Sequence, residues 1–100
     1  MTDKTLQKIV KESRDTWGFG YEDLLLLLCG LTTEVGELND CIRDQYIYKK
    51  PPIPEEDKSS LKHELADVLI YLYSIADECN IDLYEAVLSK VELNNKRFRK

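Results

Sequence analysis

Two stretches of this chain repeat one pattern, and that pattern leaves little choice of fold. At a constant offset of 30 residues, Leu31, Glu34, Val35, Glu37, Leu38 and Ile42 are matched by Leu61, Glu64, Leu65, Asp67, Val68 and Leu72. The apolar members recur every three or four residues, which is the helical period, and no segment alternates as a half-buried strand would. Each stretch therefore reads as an amphipathic helix with an acid-x-x-acid pair set inside its apolar stripe.

Glycine and proline divide the rest. Leu6, Ile9, Val10 and Ser13 keep helical spacing up to Trp17, where Gly18 and Gly20 break the pattern. The second helix spans about Tyr21 to Tyr46, with Leu27, Leu31, Val35, Leu38 and Ile42 as one stripe. Lys49-Lys50-Pro51-Pro52-Ile53-Pro54 reads as a stiff extended connection with solvated lysines, because each proline turns its predecessor away from helix. Pro54 and the acids Glu55, Glu56 and Asp57 suit a helix start. That third helix carries Leu61, Leu65, Val68, Leu72, Ile75 and Cys79 and stops near Asn80. Asp82 and Glu85 have capping-box spacing and open a fourth helix. The expectation is an all-α, four-helix bundle-like fold, one domain over residues 1–100, with helices two and three as its central pair.

Composition narrows the function classes. With 43% hydrophobic and 33% charged residues the chain is globular rather than disordered. A net charge of −5 argues against a nucleic-acid polymer as partner. Leu24 to Cys29, the longest apolar run, is far short of the ~20 residues that span a bilayer, and the polar N-terminus does not read as a signal peptide. Cys29, Cys41 and Cys79 are widely spaced without a CxxC, so they read as buried free thiols of a cytoplasmic protein.

At about 100° per residue, Leu38, Leu31 and Ile42 lie about 40, 60 and 80° to one side of Glu34. Val68, Leu61 and Leu72 hold the same angles to Glu64, so both glutamates sit at the edge of a buried face. Glu37 and Asp67 lie about 60° further round. Packing the two helices by their apolar faces is expected to gather all four carboxylates. Such a cluster opposes its own ionisation and calls for a positive partner. Oxygen-only donors suit Mg²⁺ or Mn²⁺. A di-iron carboxylate site would normally add Glu-x-x-His motifs, whereas the single histidine, His63, is adjacent to Glu64 and faces another way.

Glu34-Val35-Gly36-Glu37 followed by Glu64-Leu65-Ala66-Asp67, with 26 residues between the motifs, resembles the ExxE…ExxD signature of the MazG-like all-α nucleoside triphosphate pyrophosphohydrolases. The likeness runs from about Trp17 to Arg97. It implies hydrolysis between the α and β phosphates of a nucleotide, in a nucleotide-pool house-cleaning role, with Mg²⁺ held by Glu34, Glu37, Glu64 and Asp67. Glu37 and Glu34 are then the catalytic candidates, with Glu37 preferred as the base. On helix four, Lys90, Asn94 and Arg97 are similar to the family's KxxxNxxR element, whose members contact phosphates, and they fall within about 60° of arc. Trp17 matches the aromatic segment that stacks on the base in short members, although an indole there also suits capping the core. The leucine run at 24–28 is wider than one helix face buries within a monomer, and family members assemble as dimers or tetramers, so a homodimer or homotetramer is expected. The alternative is a non-catalytic helical binding or assembly module that keeps the fold. Base and sugar preference are not legible in the spacing.

Overall fold

The computed structural model describes residues 3–17, 24–49 and 55–98. They form four helices, α1 (Asp3–Trp17), α2 (Leu24–Lys49), α3 (Glu55–Glu78) and α4 (Leu83–Phe98), and the protein is all-α, with no strand among the described residues. The second helix continues past Tyr46 to Lys49. Nothing in Ile47-Tyr48-Lys49 breaks a helix, and the first restricted position is Lys50, directly before Pro51. The proline-rich connection at 50–54 and the glycines at 18 and 20 lie outside the described residues.

The chain divides into two compact units, residues 1–20 with 73–100 and residues 21–72. In the first, α1 packs against α4. Val10, Tyr73 and Ala76 are buried together with the polar Ser74 and Arg14. Arg14 donates to the Ser74 carbonyl at 3.3 Å and to Glu78 at 3.2 Å, and its guanidinium lies 3.8 Å from Asp77. A cation at the C-terminal end of α3 answers both the acids and the exposed carbonyl end of the helix dipole.

The turn into α4 is bonded residue by residue. Asn80 adopts φ 56°, Ile81 N–H donates to the Ala76 carbonyl at 2.8 Å, and Asn80 N–H donates to Asp77 at 3.1 Å. This is a Schellman ending, with asparagine in the left-handed position. Asp82 Oδ1 then accepts from Glu85 N–H at 3.2 Å, the first half of the expected capping box. Gln7 of α1 secures the turn from the side. Its amide donates to Asp77 (2.8 Å) and to the Ile81 carbonyl (2.9 Å), while its oxygen accepts from Leu83 N–H (2.9 Å).

In the second unit α2 and α3 come into contact, as at Gly30 and Tyr71, and the apolar stripes are only partly covered. Leu27 is 1% exposed, whereas Leu24, Leu25, Leu26 and Leu28 are exposed, Leu25 by 67%. Val35, Ile42, Leu65 and Leu72 are exposed as well. The cysteines depart from expectation: all are free, but Cys29 and Cys79 are exposed and Cys41 is half-buried. Cys29 follows the open side of the leucine run, and Cys79 falls in the turn beyond α3.

The left-handed backbone at Asn80 sets a stability test. Asn80→Val should cost about 1–2 kcal/mol, because a β-branched residue resists that conformation, while Asn80→Gly should be neutral or stabilising. Denaturant midpoints of the three proteins check the order.

Candidate functional site

The acid pairs lie in the second unit, where the half-buried Leu31 and Leu38 draw Glu34 inward on α2, and Leu61 and Val68 do the same for Glu64 on α3. Thr32 and Thr33, just before the first acid, turn their hydroxyls back to the Leu28 and Cys29 carbonyls at 3.0 and 3.1 Å. Their polar groups are thereby satisfied within the helix. One carboxylate oxygen from each of Glu34, Glu37 and Glu64 lies within 4.8 Å of the others. Asp67 stands outside this trio and is exposed. The expected gathering of four is thus a gathering of three. Asp67 sits about 60° further round its helix than Glu64 and is one methylene shorter, whereas Glu37, at the equivalent angle on α2, has the length to reach back.

The electrostatics of the trio are unresolved within the chain. The Oε2 atoms of Glu34 and Glu64 are buried without a hydrogen-bond partner. Burial, and then the negative charges of Glu37 and Asp67, push the Glu34 carboxyl above its ordinary range; a hydrogen bond with Glu37 and the charge of Glu64 act in the same direction. Two orphaned carboxylate oxygens at the edge of a helix pair, with a third carboxylate in reach, match the donor set of a hard divalent cation. The residues present fit such an ion.

The remaining candidates lie in the first unit. Lys90 and Arg97 are exposed on α4 and Asn94 is half-buried. The Arg97 guanidinium lies 5.3 Å from the centroid of the Phe98 ring, a cation–π contact. Trp17 ends α1 and is 57% exposed, so it does not cap the core of this chain. Sequence reasoning passed over Arg14, Gln7 and the contact between Gly30 and Tyr71 described below. Arg14 was detectable as a cation four residues after Val10, in line with the apolar face of α1. Gly30 was detectable as a helix-weakening residue inside a leucine-rich helix.

Comparison with known proteins places this geometry. The model of the MazG nucleotide pyrophosphohydrolase domain matches residues 22–99, including every acid of the two motifs. The chain belongs to the MazG nucleotide pyrophosphohydrolase family. Among curated relatives of this MazG member, dCTP pyrophosphatase 1 of Mus musculus is 39% identical over 74 residues, covering 72% of this chain and 44% of that protein. The Homo sapiens protein of the same name is 41% identical over 76 residues, with the same coverage of 72% and 44%. The uncharacterized protein YpjD of Bacillus subtilis (strain 168) is 37% identical over 89 residues, 86% of this chain and 79% of that one. The chain spans less than half the length of the mammalian relatives it matches.

The raised Glu34 carboxyl has a consequence for stability. In metal-free protein the folded state holds this proton more tightly than the unfolded chain does. The associated stability is therefore complete below the ordinary value of 4.5 and is lost as pH rises through the raised value. Glu34→Gln should raise the melting temperature of chelator-treated protein at neutral pH, and the gain should vanish as pH falls towards 4.5. Thermal melts of the two proteins across pH 4 to 8, an approximate window around the carboxylate range, check this.

Proposed function

We propose that this protein is a divalent-metal-dependent nucleotide pyrophosphohydrolase, hydrolysing a nucleoside or deoxynucleoside triphosphate to the monophosphate and pyrophosphate, as a single domain over residues 1–100. The observation that carries this reading is the glutamate trio within 4.8 Å, with two buried oxygens lacking partners, in a chain of the MazG family. Glu34, Glu37 and Glu64 are assigned as ligands of Mg²⁺, with Mn²⁺ as a substitute. Asp67 is assigned as the fourth acid, by its place in the family motif and its charge beside Glu34. A bound divalent ion supplies charge neutralisation of phosphate oxygens and acidifies its water.

The chain's own residues supply the rest. Glu37 is the exposed member of the trio and is assigned to accept the proton of the attacking water, with Glu34 as the second catalytic acid. Lys90, Asn94 and Arg97, along one side of α4, are assigned to the phosphates, because ammonium, amide and guanidinium groups all donate to phosphate oxygens. The open indole of Trp17 is assigned to stacking on the base. The name of the mammalian relatives makes dCTP the first substrate to examine. The proposed setting is cytoplasmic nucleotide-pool house-cleaning, and among the described residues no helix is long and apolar enough to cross a membrane.

Incubation with a panel of nucleoside and deoxynucleoside triphosphates and Mg²⁺ should yield pyrophosphate and monophosphate. Glu64→Gln should lower turnover by about 100-fold or more, since even the outer partners of metal ligands are commonly worth 10- to 100-fold. Orthophosphate as product, or full activity in Glu64→Gln, would overturn the assignment.

The chain is further proposed to work as a homodimer or homotetramer. Four of the five leucines at 24–28 are exposed, as are Val35, Ile42, Leu65 and Leu72, and apolar side chains grouped on paired helices are more stable when covered. Light scattering across a dilution series should return a mass at least twice the 11.7 kDa of one chain. A constant monomer mass would refute self-association.

A further inference from the structure

Gly30 lies four residues before Glu34 and seven before Glu37, and Tyr71 lies four after Asp67 and seven after Glu64. Seven residues are nearly two helical turns, so each of these residues falls within about 20° of a glutamate on its own helix, about 10 Å along the axis. The Tyr71 ring lies against the bare backbone of Gly30. A Cβ built on Gly30 would stand 2.6 Å from Tyr71 Cζ and 2.8 Å from its hydroxyl, with the ring edge closer still. Gly36, between the two acids of its own motif, shows no such role, because a Cβ there would meet nothing within 4 Å.

The two contacts along this helix pair define its register. Moving forward seven residues on α2, from Gly30 to Glu37, corresponds to moving back seven on α3, from Tyr71 to Glu64. The helices are therefore antiparallel, and this register sets Glu37 opposite Glu64 and Glu34 opposite Asp67. The glycine has a cost, because a helix interior is weakened by roughly 1 kcal/mol relative to alanine. It is compensated only if the closeness it permits is used.

We infer that Gly30 and Tyr71 form a register lock, a positioning pair that sets the separation and stagger of α2 and α3 and so holds Glu34, Glu37 and Glu64 within ligand distance of one cation. Neither residue touches the ion. A methyl group at position 30 must displace the Tyr71 ring, the outer end of a rotatable side chain, by roughly 1 Å to regain ordinary contact, or else move the helix that bears it. The lock acts through the part of this displacement that passes to the α3 backbone, since ligand constellations are held to within about 0.5 Å. This inference rests on the reading of the glutamates as a cation site.

The test is Mn²⁺ binding, followed by the electron paramagnetic resonance signal of the free ion, together with kcat and KM. Wild type should bind Mn²⁺. Gly30→Ala should bind about 10-fold more weakly or worse, with kcat falling more than KM rises, and circular dichroism should show its helices intact. Tyr71→Phe keeps the ring in the notch and should retain wild-type Mn²⁺ affinity. Tyr71→Leu empties the notch without inserting an atom and should lose affinity, which keeps the question decidable if Gly30→Ala does not fold. In Gly30→Ala/Tyr71→Leu the added methyl has room, so the double variant should bind no worse than Tyr71→Leu alone. Wild-type affinity in Gly30→Ala or in Tyr71→Leu, or strictly additive losses in the double variant, would overturn the register lock while leaving the cation site standing. Absence of Mn²⁺ binding in wild type would instead remove the cation site and the lock with it.

Discussion

Three glutamates whose oxygens lie within 4.8 Å of one another, two of them with a buried oxygen lacking any partner, cannot all stay charged at no cost. That constraint organises the acid-bearing helix pair. The apolar neighbours Leu31, Leu38, Leu61 and Val68 pull Glu34 and Glu64 towards the covered side of the pair, where one carboxylate oxygen of each is buried without a hydrogen-bond partner. In water the same acids would separate and hydrate. Their confinement is maintained by helix packing, at the expense of stability unless a proton or a cation joins them.

The first unit handles a buried charge in the opposite way. Arg14 is as buried as any charged side chain described, yet Ser74, Asp77 and Glu78 all face it. Gln7 completes the arrangement by bonding both sides of the turn between α3 and α4. There Arg14 is ion-paired to Asp77 and Glu78 and serves the fold, although Arg14 Nε and Asp77 Oδ2 are themselves buried without a hydrogen bond. The contrast lies in the charges: Arg14 faces carboxylates, whereas Glu34 has Glu37, Asp67 and Glu64 around it and forms no ion pair among the described residues.

Covered apolar surface is scarce for a chain of this composition. Only Val10, Leu27, Tyr73 and Ala76 form the buried hydrophobic set among the described residues, while leucines on α2 and α3 stay open. The helices are thus better provided with apolar side chains than this chain alone can enclose. Close approach is concentrated where it matters most, at the notch between Gly30 and Tyr71.

The helical periods, the proline and glycine punctuation and the paired acids are local properties, which is why all four helices, their approximate limits and the four acids could be read from sequence. The end of α2 lies three residues beyond the expected Tyr46, because Pro51 and not the apolar stripe sets it. Cys29 and Cys79 are exposed where burial is expected, because helical phase says which residues share a face, not whether another segment covers it. Likewise, spacing placed the four acids beside one another in angle, but reach and helix separation decided that Glu34, Glu37 and Glu64 meet and that Asp67 acts from outside through its charge. Helix type and acid phase were determined by sequence alone, because both depend on rotation per residue. Register, burial and the meeting of particular oxygens were decided only by tertiary structure, because they depend on how closely two backbones approach, here at a glycine whose missing side chain is filled by a tyrosine from the facing helix.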